Sequence, residues 1–221
     1  MPDSPLAEHI AAYLAELRRQ NASPHTIRNY ESDLTQFLTY FSPAGSQPPE
    51  PAAIDPIALR EWMGSLFNAG NGATTVRRKL AAVRSFFKHL VRMAVLENSP
   101  ARLIRTPKTP KTLPRVPSEA HANELLDAMA AGQLDRASLT RDLAMFELLY
   151  GCGLRVSELA GLNMEDFDWT ERWIRVRGKG RKERQVPFGT KANEALQAYL
   201  SDRTPAPGES ALFLNRSHRR L

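Results

Sequence analysis

Two cationic side chains in the C-terminal half are placed for chemistry on a phosphodiester. Arg155 follows two glycines at a helix junction, and Lys179 lies between Gly178 and Gly180. A rigidly held guanidinium can bind two non-bridging phosphate oxygens, and a lysine at a turn can donate a proton to a leaving oxygen. The pair therefore predicts a site that stabilises charge on a phosphate while it protonates the departing group.

Each of these cations also has a purely structural explanation. An arginine at a helix junction is often a surface residue or half of a capping ion pair, for which Glu158 is the candidate partner. Charges at a hairpin tip often do no more than protect an edge strand. The two segments together favour the catalytic interpretation, because one supplies a fixed charge and the other a mobile proton donor.

Lys179 is predicted to lie at the tip of a β-hairpin. Along residues 173–188, Ile174 and Val176 alternate with Arg175 and Arg177, as the residues of a half-buried strand do. The glycines beside the lysine suit the positive φ of a tight turn. Cations around the tip are expected to contact DNA phosphates: Arg177, Arg181 and Lys182.

Composition favours a polyanionic partner. The 221 residues carry a formal net charge of +6 and an isoelectric point near 9.7, which points first to nucleic acid. The absence of a long apolar run and of a signal peptide argues against a membrane and for the cytoplasm. A single cysteine, Cys152, excludes an internal disulfide. The histidines show no metal-binding spacing, so no metal is predicted, and they are expected at surfaces or interfaces; those in helical pattern are His9, His25, His89 and His121.

The chain is predicted to hold two domains. Residues 1–97 are helical throughout, with Ser23 and Pro24 typical of an N-cap and first helical position. Residues 98–117 are basic and proline-rich, and are expected to be an irregular, extended linker. Residues 118–221 combine helices with the hairpin. The prediction is an all-α domain followed by an α+β domain with a small antiparallel sheet.

The fourth predicted helix, residues 74–95, carries a basic stripe formed by Arg77, Arg84, Lys88 and Arg92. At 100° per residue these four side chains fall within about 80° of the helix circumference. Val83, Phe86 and Leu90 lie on a different face, which is expected to be buried. A basic helix, linker and hairpin together predict a clamp that grips the phosphates of a duplex. The predicted contacts in this half of the chain are Arg77, Arg84, Lys88 and Arg92 of the stripe, with Arg105 and Lys108 of the linker.

Two motifs resemble those of a known family. Gly-Leu-Arg-Val-Ser-Glu-Leu at 153–159 and Gly-Lys-Gly-Arg-Lys-Glu-Arg at 178–184 resemble the tyrosine recombinases, or phage integrases, in particular the Xer group. Residues 23–38 resemble part of the family's core-binding domain, and residues 98–117 its linker. The resemblance implies a four-helix, SAM-like DNA-binding domain, followed by a partial catalytic domain.

The same resemblance implies a mechanism and partners. In this family a tyrosine attacks the scissile phosphate to give a 3′-phosphotyrosyl link, without a cofactor. The position of Arg155 corresponds to the residue that stabilises the phosphorane, and that of Lys179 to the general acid. Implied partners are a double-stranded recombination site, a related Xer subunit in a heterotetramer on DNA, and a septal DNA translocase. The implied role is resolution of chromosome dimers before cell division.

One departure from the family affects the expected activity. The family's His-x-x-Arg pair, later His or Trp, and nucleophilic Tyr have no match here. Residues 218–221 begin with His but have Leu221 where the His-x-x-Arg pair has arginine. Tyr199 has the helical spacing of a core residue relative to Leu196 and Leu200, so it is not expected to be the nucleophile. These 221 residues are therefore expected to bind DNA without cleaving it. Two alternatives stay open, a DNA-binding module without activity and another integrase of the integron or phage type. A helical protein-interaction adaptor would leave the basic hairpin and linker unexplained.

Overall fold

The chain forms two compact units, Met1–Leu113 and Pro114–Leu221. The computed structural model describes residues 4–43, 46–109, 113, 116–134, 138–178, 180 and 182–221. Each unit has its own hydrophobic core. In the described part of the chain, no helix is long and apolar enough to cross a membrane.

Within its described residues the N-terminal unit contains four α-helices, as predicted. They are α1 (Pro5–Arg19), α2 (Pro24–Tyr40), α3 (Pro56–Asn68) and α4 (Ala73–Arg92). The first three begin with proline after a residue whose side chain accepts a hydrogen bond from a backbone N–H, which fixes the helix start. The predicted cap is confirmed: Ser23 Oγ accepts from the Thr26 backbone N–H at 3.1 Å.

An aromatic cluster fills the core of this unit. Phe37 of α2 meets Trp62 of α3 and Phe87 of α4 edge to face, with ring centroids 5.1 and 6.2 Å apart. The predicted inner face of α4 is confirmed, since Val83, Phe86, Phe87 and Leu90 are all buried. The packing of α2 and α3 against this face sets the position of the opposite, basic face of α4.

One side chain in this unit departs from the sequence-based expectation. His89 is predicted at a surface or an interface, but it is buried against Tyr13, with ring centroids 5.1 Å apart. Burial lowers the pKa of His89. Lys79 is also buried, and its Nζ lies 3.4 Å from Oδ1 of the buried Asp33. This pair joins α2 to α4 inside the unit.

The first part of the predicted linker is folded, not extended. Pro100–Leu103 form a turn of 3₁₀ helix, and Ala101 and Ile104 are buried in the N-terminal core. The expectation of an irregular segment is wrong here, because apolar side chains at these positions have a core to enter. Arg84 of α4 fixes the segment: its guanidinium donates to the carbonyls of Ala101 and Ile104 and to Thr106 Oγ1.

The C-terminal unit combines helices with a small sheet in the part that is described. The helices are α5 (Glu119–Ala130), α6 (Leu139–Cys152), α7 (Val156–Ala160) and α8 (Thr190–Asp202). The strands are β1 (Phe167–Asp168), β2 (Trp173–Arg177) and β3 (Glu183–Pro187), antiparallel in the order β1-β2-β3. The predicted hairpin is confirmed as β2–β3, while the short β1 was not predicted.

The alternation along β2 orients the hairpin. Ile174 and Val176 are fully buried, whereas Arg175 and Arg177 are exposed. The buried face packs in the same core as Leu196 of α8. Because the side-chain period of a strand is two, this burial fixes the opposite face as the cationic one.

Candidate active site

Arg155 lies at the junction between α6 and α7. Gly153, at φ +60°, ends α6 in the left-handed region, which a glycine adopts without strain. Arg155 then caps α7, and its backbone N–H donates to Glu158 Oε2 at 2.9 Å while Nη1 donates to Oε1 at 2.8 Å. The side chain nevertheless remains 72% exposed. The capping pair considered from the sequence thus exists, and it leaves most of the guanidinium accessible.

Glu158 is a buried carboxylate that also binds the hairpin. Its side chain is 3% exposed, and it accepts from Arg184 Nη1 at 2.8 Å and Arg184 Nη2 at 2.9 Å. The Arg184 hydrogen bonds, followed by those from Arg155, lower the pKa of Glu158 to about 2. The same contacts raise the pKa of Arg184. Glu158 therefore stays ionised and fixes β3 to the start of α7.

The glycines beside the hairpin tip serve different purposes. Gly180 has φ +76°, as predicted for a tight turn. A Cβ on Gly178 would lie 3.3 Å from Glu158 Oε1 and 3.6 Å from Arg184 Nη1. A side chain at Gly178 would thus crowd the carboxylate, and the Gly178 N–H donates to the Lys182 carbonyl at 2.7 Å.

A second buried carboxylate holds the other arm of the hairpin. Asp166 Oδ1 lies 3.1 Å from Arg175 Nη2 and 3.2 Å from Arg177 Nη2, and the Asp166 side chain is 2% exposed. Arg177 Nε also donates to Glu183 Oε1 at 3.1 Å. Arg177, predicted as a phosphate contact, is therefore held by carboxylates on a partly exposed surface.

The predicted site residues are only partly placed by the structure. Lys179 and Arg181 fall outside the described residues, so their roles stay predictions. Lys182 is exposed next to β3. The structure brings Arg155 close to the base of the hairpin through Glu158 and Arg184, and the residues of the α4 stripe belong to the other unit.

The α4 stripe is less uniform than the sequence pattern indicated. Arg77 donates to Thr109 Oγ1 at 2.6 Å, and Arg92 lies 3.5 Å from Glu16 Oε1. All three guanidinium nitrogens of Arg84 donate to the linker. Lys88 is exposed, as are Arg105 and Lys108 beyond the helix.

The geometry of Tyr199 supports its assignment to the core. Its hydroxyl donates to the Leu212 carbonyl at 3.2 Å and accepts from the Leu214 backbone N–H at 3.1 Å. Burial raises the pKa of this hydroxyl. Both hydrogen-bonding roles of the group are used inside the unit, which does not suit an attacking nucleophile.

Comparison with known proteins identifies the family. Residues 117–221 match the model of the phage integrase family, and residues 10–93 that of the phage integrase N-terminal SAM-like domain. Tyrosine recombinase XerC of Thermodesulfovibrio yellowstonii is 37% identical over 221 residues, covering 96% of this chain and 70% of the relative. The chain belongs to the tyrosine recombinase family. XerC of Myxococcus xanthus is 41% identical, covering 90% of this recombinase and 64% of its own length.

Solved recombinases share the fold. The Tn1549 transposon integrase in complex with circular intermediate DNA matches 99% of this recombinase and 74% of that chain, with a TM-score of 0.73 at 18% identity. XerH bound to difH substrate matches 94% of this recombinase and 62% of that chain, with a TM-score of 0.65 at 22% identity. The predicted combination of a SAM-like helical domain and an α+β catalytic domain is confirmed.

The two buried carboxylates of this candidate site are not predicted from the sequence in their full roles. Glu158 is predicted only as the partner of Arg155, and Asp166 is not predicted. A local signal existed for Glu158, since an acidic residue three positions after a helix N-cap often returns to the cap backbone. Nothing local pairs it with Arg184, which is distant in sequence.

The cluster of Glu158 with Arg155 and Arg184 predicts that the stability of the fold depends on pH. The folded pKa of about 2 lies below the ordinary 4.5, so this stabilisation is complete above pH 4.5 and is lost as the pH falls towards 2. We expect Glu158→Gln to lower the free energy of unfolding, measured by urea titration at neutral pH, by about 2 kcal/mol after allowance for solvent screening of the arginines. Between neutral pH and pH 3 the variant should lose less stability than the unchanged chain. An equal loss in both proteins would contradict the assignment.

Proposed function

We propose that this chain is the DNA-binding and partial catalytic portion of a XerC-type site-specific recombinase, which cuts and rejoins DNA through a 3′-phosphotyrosyl intermediate. The supporting observation is the exposed guanidinium of Arg155, held in place by the buried Glu158. Family membership and the 37–41% identity to XerC proteins support the same reaction.

The proposed step requires charge stabilisation and two proton transfers. The oxygen of a tyrosine that has lost its proton to solvent forms a bond to the scissile phosphorus, and the bond from phosphorus to the 5′ oxygen breaks. Arg155 stabilises the negative charge of the pentacoordinate phosphorane, because its exposed N–H groups can bind two non-bridging oxygens. Lys179 donates the proton that the departing 5′ oxygen needs. In the reverse step a 5′ hydroxyl displaces the tyrosine.

The wider role follows from the same assignment. We propose that the recombinase acts in the cytoplasm on a chromosomal site with a related Xer subunit, and that it resolves chromosome dimers at cell division under a septal DNA translocase. The net charge of +6 supports only the DNA among these partners, which the chain would bind mainly by its phosphates.

DNA binding should depend steeply on salt. Contact with about six phosphates gives a slope of log K against log[salt] near −5. We expect Lys88→Ala to reduce the magnitude of this slope by about one, since Lys88 is exposed on the α4 stripe. Arg84→Ala should chiefly lower the melting temperature, because Arg84 holds the linker segment.

Fluorescence anisotropy titrations at several salt concentrations measure these slopes. Arg18→Ala is the matched control, because Arg18 is an exposed arginine of α1 outside the stripe. The control should leave the slope unchanged. A flat salt response of the unchanged chain would refute the proposed phosphate grip.

A second candidate function is DNA binding without cleavage. It is favoured by Tyr199, whose hydroxyl is buried and doubly hydrogen-bonded. We propose that the 221 residues alone occupy a recombination site but form no covalent adduct, and that fusion to a XerC-type C-terminal segment restores adduct formation. Denaturing gels with a nicked, trapping DNA substrate test both statements. An adduct with the unfused chain would show that one of its own tyrosines is active, and Tyr199→Phe would be the first variant to examine.

A further inference from the structure

One buried carboxylate serves two arginines from different elements. Glu158 Oε1 accepts from Arg155 Nη1 and from Arg184 Nη1, each at 2.8 Å. Oε2 accepts from the Arg155 backbone N–H and from Arg184 Nη2, each at 2.9 Å. A carboxylate offers roughly four acceptor positions, so these contacts saturate Glu158. Arg155 therefore has room to place only one side-chain N–H on it.

The charges of the cluster follow from the same contacts. Two guanidiniums share one carboxylate, which leaves an excess positive charge, whereas Arg155 and Glu158 alone would cancel. Arg184 binds with both ends of its planar fork, the strong geometry for this pair. Most of the Arg155 side chain remains exposed, so the excess charge is available at the surface.

We infer that Arg184 is a positioning residue that keeps Arg155 free for a phosphate by occupying Glu158. The inference rests on the proposed function, in which Arg155 contacts the DNA phosphate. When Arg184 is replaced by a neutral residue that does not bind Glu158, two acceptor positions of the carboxylate open. The fork of Arg155 then closes on Glu158, and a phosphate has to compete with a buried, ionised carboxylate for the same N–H groups.

A simpler role for Arg184 is that of a strut between β3 and α7. Gly178 packs against the same carboxylate, so the hairpin base does depend on this region. A strut would act through stability alone. Charge competition instead predicts that removing the charge of Glu158 as well restores what the loss of Arg184 takes away.

The test compares salt slopes of DNA binding in the 221-residue chain, with a labelled duplex that carries a Xer recombination site. In the unchanged chain, Arg155→Ala should reduce the slope by about one, the contribution of one phosphate contact. In a chain that carries Arg184→Gln, Arg155→Ala should leave the salt slope unchanged. In a chain that carries both Arg184→Gln and Glu158→Gln, Arg155→Ala should again reduce the slope by about one.

Two further variants separate charge from stability. Arg184→Lys keeps a cation beside Glu158 but loses the two-pronged guanidinium contact. The contribution of Arg155 to the salt slope should therefore persist even if the melting temperature falls. Arg175→Ala removes an arginine from the other buried carboxylate, Asp166, and should leave the contribution of Arg155 to the salt slope intact.

The possible outcomes are distinct. The inference is overturned if Arg155→Ala reduces the salt slope in the Arg184→Gln chain as much as in the unchanged chain. It is also overturned if adding Glu158→Gln does not restore the effect of Arg155→Ala. If Arg184→Gln does not fold, loss of the effect of Arg155→Ala in the Arg184→Lys chain overturns the inference. If Arg155→Ala has no effect on the slope even in the unchanged chain, the proposed phosphate contact itself is wrong.

Discussion

Arg155→Ala should reduce the rate of strand cleavage by roughly 10²–10³, the usual loss when one preorganised charge stabiliser is removed. The enzyme for this experiment is the chain fused to a XerC-type C-terminal segment. The loss is large because the exposed guanidinium is held in one orientation by Glu158 and pays little to reorganise in the transition state. Single-turnover accumulation of the covalent protein–DNA adduct measures the rate.

Folding and DNA binding should survive this substitution. The cap of α7 uses the backbone N–H of residue 155, which alanine retains, and only the 2.8 Å side-chain contact is lost. Affinity for the duplex should stay within about tenfold, the loss of a single phosphate contact. Arg175→Ala serves as a control that removes an exposed arginine from the Asp166 pair. A chain that fails to fold after Arg155→Ala would show that the residue is a structural cap.

Lys179→Ala should impair cleavage of ordinary DNA and be largely rescued by a 5′-thio-bridged scissile phosphate. A thiolate departs without protonation, so the need for a general acid disappears. We expect a loss of about 10²–10⁴ with the oxygen substrate, the range typical of a positioned acid. The rates to be measured are those of the fused enzyme, with and without Lys179→Ala, on the ordinary substrate and on the 5′-thio substrate.

The comparison with Arg155→Ala makes this experiment specific. If Arg155 stabilises the phosphorane as proposed, its charge is needed whichever atom leaves, so sulfur should not rescue that variant. Lys182→Ala is the matched comparison, since Lys182 is an exposed lysine near the same tip that is expected to contact a phosphate; its loss should affect the oxygen and sulfur substrates equally. Without rescue of Lys179→Ala by sulfur, the hairpin lysine would be a phosphate contact only.

Local signals in the sequence were sufficient for much of the fold. Ser23 and Pro24 mark a helix start because the serine side chain accepts from an orphan backbone N–H and the proline has no N–H to satisfy. Alternation along β2 reveals its buried face because strand geometry has a period of two. Gly153 ends α6 because a left-handed residue is needed there. Each of these features depends only on neighbours in the chain.

Features that depend on tertiary packing were not predictable in the same way. The Glu158–Arg184 pair joins α7 to β3, and Asp33–Lys79 joins α2 to α4. Charged residues in a sequence are usually solvated, so their burial becomes evident only when the elements are packed. The 3₁₀ turn at Pro100–Leu103 likewise forms because the N-terminal core accepts Ala101 and Ile104.

Removal of charge from the substrate tests whether Arg155 stabilises the phosphate. A methylphosphonate at the scissile position replaces one non-bridging oxygen by a neutral methyl group, so the phosphorane carries less negative charge for Arg155 to stabilise. Cleavage of phosphate and methylphosphonate DNA should be compared in the fused enzyme with and without Arg155→Ala. We predict that the penalty of the substitution falls from roughly 10²–10³ to within about tenfold on the neutral substrate. An equal penalty on both substrates would contradict the assignment of Arg155 to the phosphate.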